Sequence, residues 1–150
     1  MSENSTAILR ISKLIEFGIP NSTGRIYSQR CVSDAIKSYF NKKEAIPVLA
    51  GEPTDDVETD SLNLIGFSTK DQILISSDCL DVDVTFASAE VANGVRDLIL
   101  TENATFTIVG SGSIKENIVK HLKLQCFSVR ATDQALQKIK DSGLNVENGK

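Results

Sequence analysis

The stretch that decides the fold is Leu62–Phe86, with the sequence LNLIGFSTKDQILISSDCLDVDVTF. It contains three apolar runs, LNLIGF (62–67), QILISS (72–77) and LDVDVTF (80–86), and the polar segments between them, STKD and SDC, are typical of turns. In the third run apolar and polar residues alternate, so one face of a strand is predicted to be buried and the other to meet water. The predicted core residues are Leu80, Val82, Val84 and Phe86, and the predicted surface residues are Asp81, Asp83 and Thr85.

Strands and helices are predicted on both sides of this central stretch. Before it lie a strand over 7–17, a helix over 28–41 with apolar residues at helical spacing, and a short strand, IPVLAG (46–51). After it lie a helix capped by Ser88 and ending near Asn103, a strand over 104–109, a long strand over 117–130 with a bulge near Cys126, and a helix over 133–140. The tail over 145–150 is polar and is predicted to fray.

Three further segments are predicted to be loops or turns. GIPNSTGRIY (18–27) concentrates the residues of a shaped loop, and GEPTDDVETD (51–60) is acidic and poor in apolar residues. Gly110–Ser113, GSGS, lacks the lysine spacing of a phosphate-binding loop and is predicted to be a turn between strands. Because no βαβ rhythm repeats, the predicted fold class is α+β, a mainly antiparallel β-barrel or bent sheet with two to three flanking helices. One domain is predicted over 1–150, with its core at about 7–140 and polar termini.

The composition disfavours several classes of function. The chain has 150 residues, is 41% hydrophobic and carries a formal net charge of −4, so nucleic-acid backbones and anionic membranes would repel it. Its N-terminus has no basic leader with a cleavage site, and no apolar run approaches the length of a membrane span, so we expect neither signal-peptide secretion nor membrane insertion. The cysteines, Cys31, Cys79 and Cys126, are odd in number and far apart, which predicts buried free thiols.

No complete catalytic or metal-binding set is visible in the sequence. The single histidine, His121, is predicted to face solvent on a strand, and no nucleophile and carboxylate accompany it locally. One histidine and three scattered cysteines do not have the paired spacing of a zinc site. The acidic loop lacks the glycine and final glutamate of a calcium loop, so a solvated charge run is favoured. We therefore expect no metal and no cofactor.

One segment carries a resemblance to a known family. IPNSTGRIYSQRCVSDAIKSYF (19–40), followed by VLAGEP (48–53), resembles the opening of the prohead maturation proteases of tailed bacteriophages, which share the herpesvirus assemblin fold. The residues that match the family's loop are Asn21, Gly24, Arg25, Ile26 and Tyr27. The likeness extends over about residues 8–130 in its succession of strand, helix and serine-bearing turn. It implies an assemblin-like fold and a role in phage head maturation.

The sequence departs from the family where catalysis would be expected. The family's Gly-x-x-His-Pro element corresponds here to the segment Ala50–Pro53, AGEP, which has no histidine. Ser111 or Ser113 could correspond to the family's nucleophile, but a serine without a base is a poor attacker at neutral pH. The only histidine available to either serine is His121, which departs from the family's arrangement.

These observations favour a structural or interaction protein over an enzyme. The leading hypothesis is a non-enzymatic virion or head-assembly protein, a capsid decoration, cement or scaffold-associated protein, located in the phage head or the host cytoplasm. Its expected partners are capsid or scaffold proteins, with homo-oligomers also compatible. The candidate contact residues in its two loops are Asn21, Gly24, Arg25, Tyr27, Glu52, Asp55 and Asp56. Two alternatives stay open: an active prohead serine endopeptidase using Ser111 or Ser113 with His121, and an accessory protein that binds a host factor.

Overall fold

The computed structural model describes the backbone of residues 7–148 and the side chains of residues 7–141. The strands are β1 (Ile8–Glu16), β2 (Ala45–Ala50), β3 (Leu64–Thr69), β4 (Ile73–Ile75), β5 (Cys79–Phe86), β6 (Thr105–Lys115) and β7 (Ile118–Arg130). The helices are α1 (Gln29–Phe40), α2 (Val57–Leu62), α3 (Ala89–Leu100) and α4 (Asp133–Asn148), with a 3₁₀ turn at Lys70–Gln72. The predicted polar ends, 1–6 and 149–150, lie outside the described residues.

The strands form one curled sheet, a half-barrel, in the order β1-β5-β3-β2-β7-β6, with β4 also paired to β5. Every strand pair is antiparallel except β2 with β7, where Val48–Ala50 lie beside Phe127–Val129 in parallel. The predicted α+β class is therefore confirmed, and the sheet is bent but open. The strands at the two ends of this order are β1 and β6, and β4 is also paired on one side only.

The core follows the alternation of the central stretch. Leu80, Val82 and Val84 are 0% exposed and Phe86 is 3% exposed, as predicted. Together with the buried faces of the other strands and of the helices they form one apolar cluster. The predicted helix starts are also confirmed, because the Ser28 and Ser88 hydroxyls accept hydrogen bonds from the backbone N–H groups of Cys31 and Val91 at 3.1 Å.

The predicted turn at Gly110–Ser113 is wrong, because these residues continue β6. The reversal of direction comes later, at Glu116 and Asn117, whose φ angles of +54° and +69° are those of a two-residue hairpin turn. The glycines are needed for close approach: a Cβ at Gly112 would collide with the carbonyl oxygen of His121 on β7. The predicted bulge is confirmed beside Cys126, where the register shifts between Val109 and Gly110.

Two other predictions need correction. The acidic segment 51–60 is not a loop throughout, because α2 starts at Val57 inside it; Asp56 caps this helix by accepting from the Glu58 N–H at 3.1 Å. The last helix is longer than predicted and its backbone continues to Asn148, through part of the tail that was expected to fray. No helix within the described part of the chain combines the length and the apolar character needed to cross a bilayer.

Candidate functional site

The loop over 18–27, which carries the family-like residues, has a fixed shape. The Asn21 side-chain oxygen accepts three hydrogen bonds, from the Thr23 N–H at 2.9 Å, the Thr23 hydroxyl at 2.8 Å and the Arg25 N–H at 2.9 Å. Gly24, at the tip, has φ +83°, a left-handed conformation that favours glycine. Asn21 and Gly24 are therefore explained by the shape of the loop itself.

The end of this loop is attached to the tip of the β6–β7 hairpin. Ile26 forms a parallel bridge with Ile118, in which the Ile26 N–H donates to the Asn117 carbonyl at 2.8 Å and the Val119 N–H donates to the Ile26 carbonyl at 2.9 Å. Tyr27 is 8% exposed and belongs to the core cluster. These bonds hold the neighbouring Arg25 at a defined place on the surface.

Arg25 itself is exposed. No carboxylate of residues 7–141 forms an ion pair with it. Arg25 lines two cavities, both of which are also lined by Tyr27. An unpaired, well-positioned arginine is suited to contact a carbonyl or carboxylate of a partner.

The larger of these cavities, the seam cleft, lies where the half-barrel fails to close. It has a volume of about 470 Å³ and is bounded by the two edge strands, with Lys13–Glu16 of β1 on one side and Thr105–Ile108 of β6 on the other. The loop contributes Asn21, Arg25 and Tyr27, and Arg130 lies at the end of the cleft. Within the described sheet neither edge strand has a second neighbour, so backbone N–H and C=O groups are left available along both walls.

The smaller cavity, the hairpin cavity, has a volume of about 310 Å³ and contains the residues of the catalytic alternative. Arg25, Tyr27, Ser111 and His121 all line it. Ser113 is not among its lining residues, although it is the cross-strand neighbour of His121 in the β6–β7 ladder. The fold thus places Ser111 and His121 at one cavity and Ser113 opposite His121, as the catalytic alternative requires.

These residues nevertheless do not form a catalytic triad. Neither serine forms a hydrogen bond with His121 among residues 7–141, and no carboxylate in that range is bonded to the imidazole. His121 is exposed, as the alternation predicts. In an assembled serine triad the base is hydrogen-bonded to the nucleophile and to an orienting group, and neither bond is present here among residues 7–141.

The segment Ala50–Pro53 lies far from these serines. Glu52 forms an ion pair with Arg130 at 2.5 Å, and the Ser128 hydroxyl donates to the Gly51 carbonyl at 2.7 Å. Ala50 is opposite Val129 and Ser111 is opposite Lys123, so the rise of β7 separates the two regions by roughly 20 Å. The segment Ala50–Pro53 therefore starts beside the C-terminal end of β7, whereas Ser111 lies beside its middle.

The acidic contact candidates are partly engaged within the chain. Asp56 accepts from the Thr59 hydroxyl at 2.7 Å, and this bond, with that from the Glu58 N–H, holds the pKa of Asp56 below its ordinary value. Glu52 is bonded to Arg130, whereas Asp55 is exposed. Among residues 7–141 no three His, Cys, Asp or Glu side chains are grouped to hold a metal ion.

Two residues of this region were not singled out from the sequence. Thr107, which lines the seam cleft, has a buried hydroxyl without a hydrogen-bond partner among the described residues. Its cross-strand neighbour, Ser128, is 0% exposed and fully engaged with Gly51. The sequence does not distinguish Thr107 from Ser128, because only the folded sheet determines which hydroxyl has a hydrogen-bond partner.

The cysteines do not add a reactive site. Cys31 and Cys79 are half-buried and only Cys126 is buried, so the prediction of buried thiols is correct for one of the three. Burial raises the pKa of Cys126 to about 11, with the carboxylates of Asp60 and Glu52 acting in the same direction. A thiol with so high a pKa is a poor nucleophile at neutral pH.

Comparison with known proteins supports the fold. The sequence matches no protein-family model and no curated protein. Among solved structures, the chain is similar to the bacteriophage T4 capsid assembly protease, gp21, with a TM-score of 0.55 and 15% sequence identity over 81% of this chain and 79% of that one. The fold expected from the resemblance at Asn21–Tyr27 is therefore confirmed: this half-barrel is a prohead-protease-like fold.

Proposed function

We propose that this chain is a non-enzymatic head-assembly protein of a bacteriophage, which binds a capsid or scaffold protein through the seam cleft. The observation that carries the proposal is the position of the loop residues Asn21, Arg25 and Tyr27 at a cleft between two open strand edges. The fold of a phage capsid assembly protease supports the context. The phage head or the host cytoplasm is accordingly the proposed location.

The cleft is suited to an extended segment of the partner. A strand that adds to the β1 edge or to the β6 edge finds backbone groups without a partner in the described sheet, which is the basis of binding by β-strand addition. Exposed Arg25 at the rim can bond to the carbonyl groups or acidic side chains of that segment. The same backbone contacts can form at each copy of a capsid or scaffold protein. They therefore suit a role as a decoration, cement or scaffold-associated protein.

The absence of an assembled triad supports binding over cleavage. In the resemblance, the family's histidine-bearing element corresponds to Ala50–Pro53, which has no histidine, and Glu52 of this segment forms an ion pair with Arg130. The serines of β6 have only His121 within reach, and no carboxylate in residues 7–141 orients that imidazole. If the cleft has no activated nucleophile, a peptide that binds there is not cleaved and stays bound.

The direct test is co-sedimentation of the purified protein with proheads and with capsid and scaffold proteins. Arg25→Ala is expected to weaken association by roughly tenfold, because one charge-assisted contact contributes about 1.5 kcal/mol or more. Arg30→Ala is the matched control, since Arg30 is an exposed arginine on α1 and does not line the cleft. Equal binding by wild type and Arg25→Ala, or absence of the protein from both particles and prohead intermediates, would overturn the proposal.

The serine endopeptidase is the second candidate, and the cross-strand pairing of Ser113 with His121 favours it. If it is correct, wild type cleaves a capsid or scaffold protein, His121→Ala abolishes cleavage, and either Ser111→Ala or Ser113→Ala does the same. No cleavage by wild type, or unchanged cleavage by His121→Ala, removes this candidate. A stable host protein retained in a pull-down from uninfected lysate would favour the host-factor alternative.

A further inference from the structure

A second surface, the β2–β3 groove, lies away from both cavities of the loop. It is an apolar depression of about 610 Å³ on the face of β2 and β3. The lining residues that matter here are Tyr39, Lys43, Pro47, Leu64 and Phe67, and the rest of the lining is apolar. Lys43 is the only charged side chain among them.

Large apolar side chains are exposed at this groove. Leu64 is 51% exposed and Phe67 is 42% exposed, and Phe67 lies across the ladder from Pro47. Leu62, two residues before Leu64, is 80% exposed. An apolar patch of this kind on a charged surface is typical of a site that binds another protein.

The two ends of the groove carry opposite charge. β2 and β3 are antiparallel, so Lys42 and Lys43 precede β2 at one end, whereas α2 leads into β3 at the other end. The α2 end is acidic: the segment 51–69 contains Glu52, Asp55, Asp56, Glu58 and Asp60, whereas the basic residues bonded there are Arg130, which pairs with Glu52, and Lys140, which donates to Asn63. At the other end Glu44 and Asp71 partly offset Lys42, Lys43 and Lys70, so that end is weakly basic. Asp56 stays ionised because hydrogen bonds lower its pKa. The groove is therefore weakly basic, apolar and acidic in succession along the strands.

We propose that the β2–β3 groove is the interface of a homodimer, in which two copies pack these faces together about a two-fold axis near the Pro47–Phe67 pair. With the axis across the strands, the basic end of each copy faces the acidic end of the other, and the two Phe67 side chains pack near the centre. A single surface with charges of opposite sign at its two ends is complementary to itself in this arrangement. This self-complementarity is the reason that we favour a second copy of this chain as the occupant.

The arrangement is consistent with what the monomer exposes. The Lys43 ammonium lies 5.5 Å from the centre of the Tyr39 ring, which holds it at the groove and leaves it able to meet a carboxylate. Glu58 is exposed in the first turn of α2 and has no ion-pair partner among residues 7–141. The dimer leaves the seam cleft open, so this inference does not depend on the proposed function.

The test is the mass of the full chain in solution by sedimentation equilibrium. Wild type is expected to approach twice the monomer mass of 16.3 kDa as concentration rises. Phe67→Asp is expected to weaken association by about thirtyfold or more, because it places a charge at the apolar centre. Leu100→Asp is the matched control, since Leu100 is 73% exposed on α3 outside the groove, and it should dimerise normally.

Charge reversal tests the orientation without relying on the apolar centre. Lys43→Glu should weaken the dimer roughly tenfold, and adding Glu58→Lys in the same chain should restore most of the loss. A wild-type protein that is monomeric at all concentrations overturns the proposal, as does a dimer insensitive to Phe67→Asp or a double variant without rescue. The proposal would also be overturned if the chain were strictly monomeric and a capsid protein bound the β2–β3 groove.

Discussion

Thr107 and Ser128 are neighbours across the β6–β7 ladder, and removal of their hydroxyl groups is expected to change stability in opposite directions. The Thr107 hydroxyl is buried without a partner in the described residues, so Thr107→Val removes a desolvated polar group and should raise the free energy of unfolding by about 1 kcal/mol. The Ser128 hydroxyl donates to the Gly51 carbonyl at 2.7 Å, so Ser128→Ala should lower it by about 1–2 kcal/mol. For a chain of this length each kcal/mol corresponds to a shift of about 2–4 °C in Tm.

The measurement is urea unfolding of wild type and both variants, followed by circular dichroism. Thr105→Val is the matched control, because Thr105 lies on the same strand and is exposed; we expect a change within about 0.5 kcal/mol. A Thr107→Val variant whose free energy of unfolding falls by about 1 kcal/mol or more would contradict the reasoning, because a loss of that size is typical of a broken buried hydrogen bond. A Ser128→Ala variant with unchanged stability would contradict it as well. Since Thr107 lines the seam cleft, the stabilised variant should also be assayed for partner binding.

The remaining predictions concern pH, thiol chemistry and strand spacing. The hydrogen bond from Arg10 at 2.5 Å lowers the pKa of Asp83. The stabilisation from this pair is therefore complete above the ordinary value of 3.8 and is lost as the pH falls through the lowered value. Asp83→Asn should therefore flatten the fall of the unfolding midpoint below pH 3.8, and an unchanged slope would contradict this. Cys126, with its pKa raised to about 11, should be alkylated at pH 8 only after unfolding, which mass spectrometry of iodoacetamide-treated protein can check; rapid labelling of the native thiol would show it is accessible. Gly112→Ala should destabilise the β6–β7 ladder by about 2 kcal/mol because its Cβ has no room, whereas Ser113→Ala, its neighbour, should be nearly neutral in the same thermal scan.

The elements fixed by local patterns were predictable. Alternation in Cys79–Phe86 identified the central strand, and serine before an apolar helical repeat identified both helix starts at Ser28 and Ser88. The GSGS segment was misassigned because glycine and serine are common in turns, whereas here glycine permits close contact between strands. The true turn uses Glu116 and Asn117, of which only asparagine commonly adopts such angles.

Features that depend on distant parts of the chain were not predictable. The parallel pairing of β2 with β7 and the edge positions of β1 and β6 follow from topology, and no local pattern encodes them. For this reason the sequence identified the loop residues Asn21 and Arg25 but not the seam cleft that they line. The Arg130 partner of Glu52 likewise comes from a distant strand.

The order of strands in the sheet also governs how the chain can be completed on the ribosome. β1 emerges early but pairs with Cys79–Phe86, and β2 emerges next but requires Phe127–Val129 for its parallel ladder. β1 therefore waits until about residue 86 has been translated, whereas the second edge of β2, which pairs earlier with β3 on its first edge, waits until about residue 129. Long-range pairing of this kind is slow and open to misassociation. The newborn chain is thus most vulnerable to aggregation just before its last strand is made, and slowing translation beyond β5 should prolong that interval.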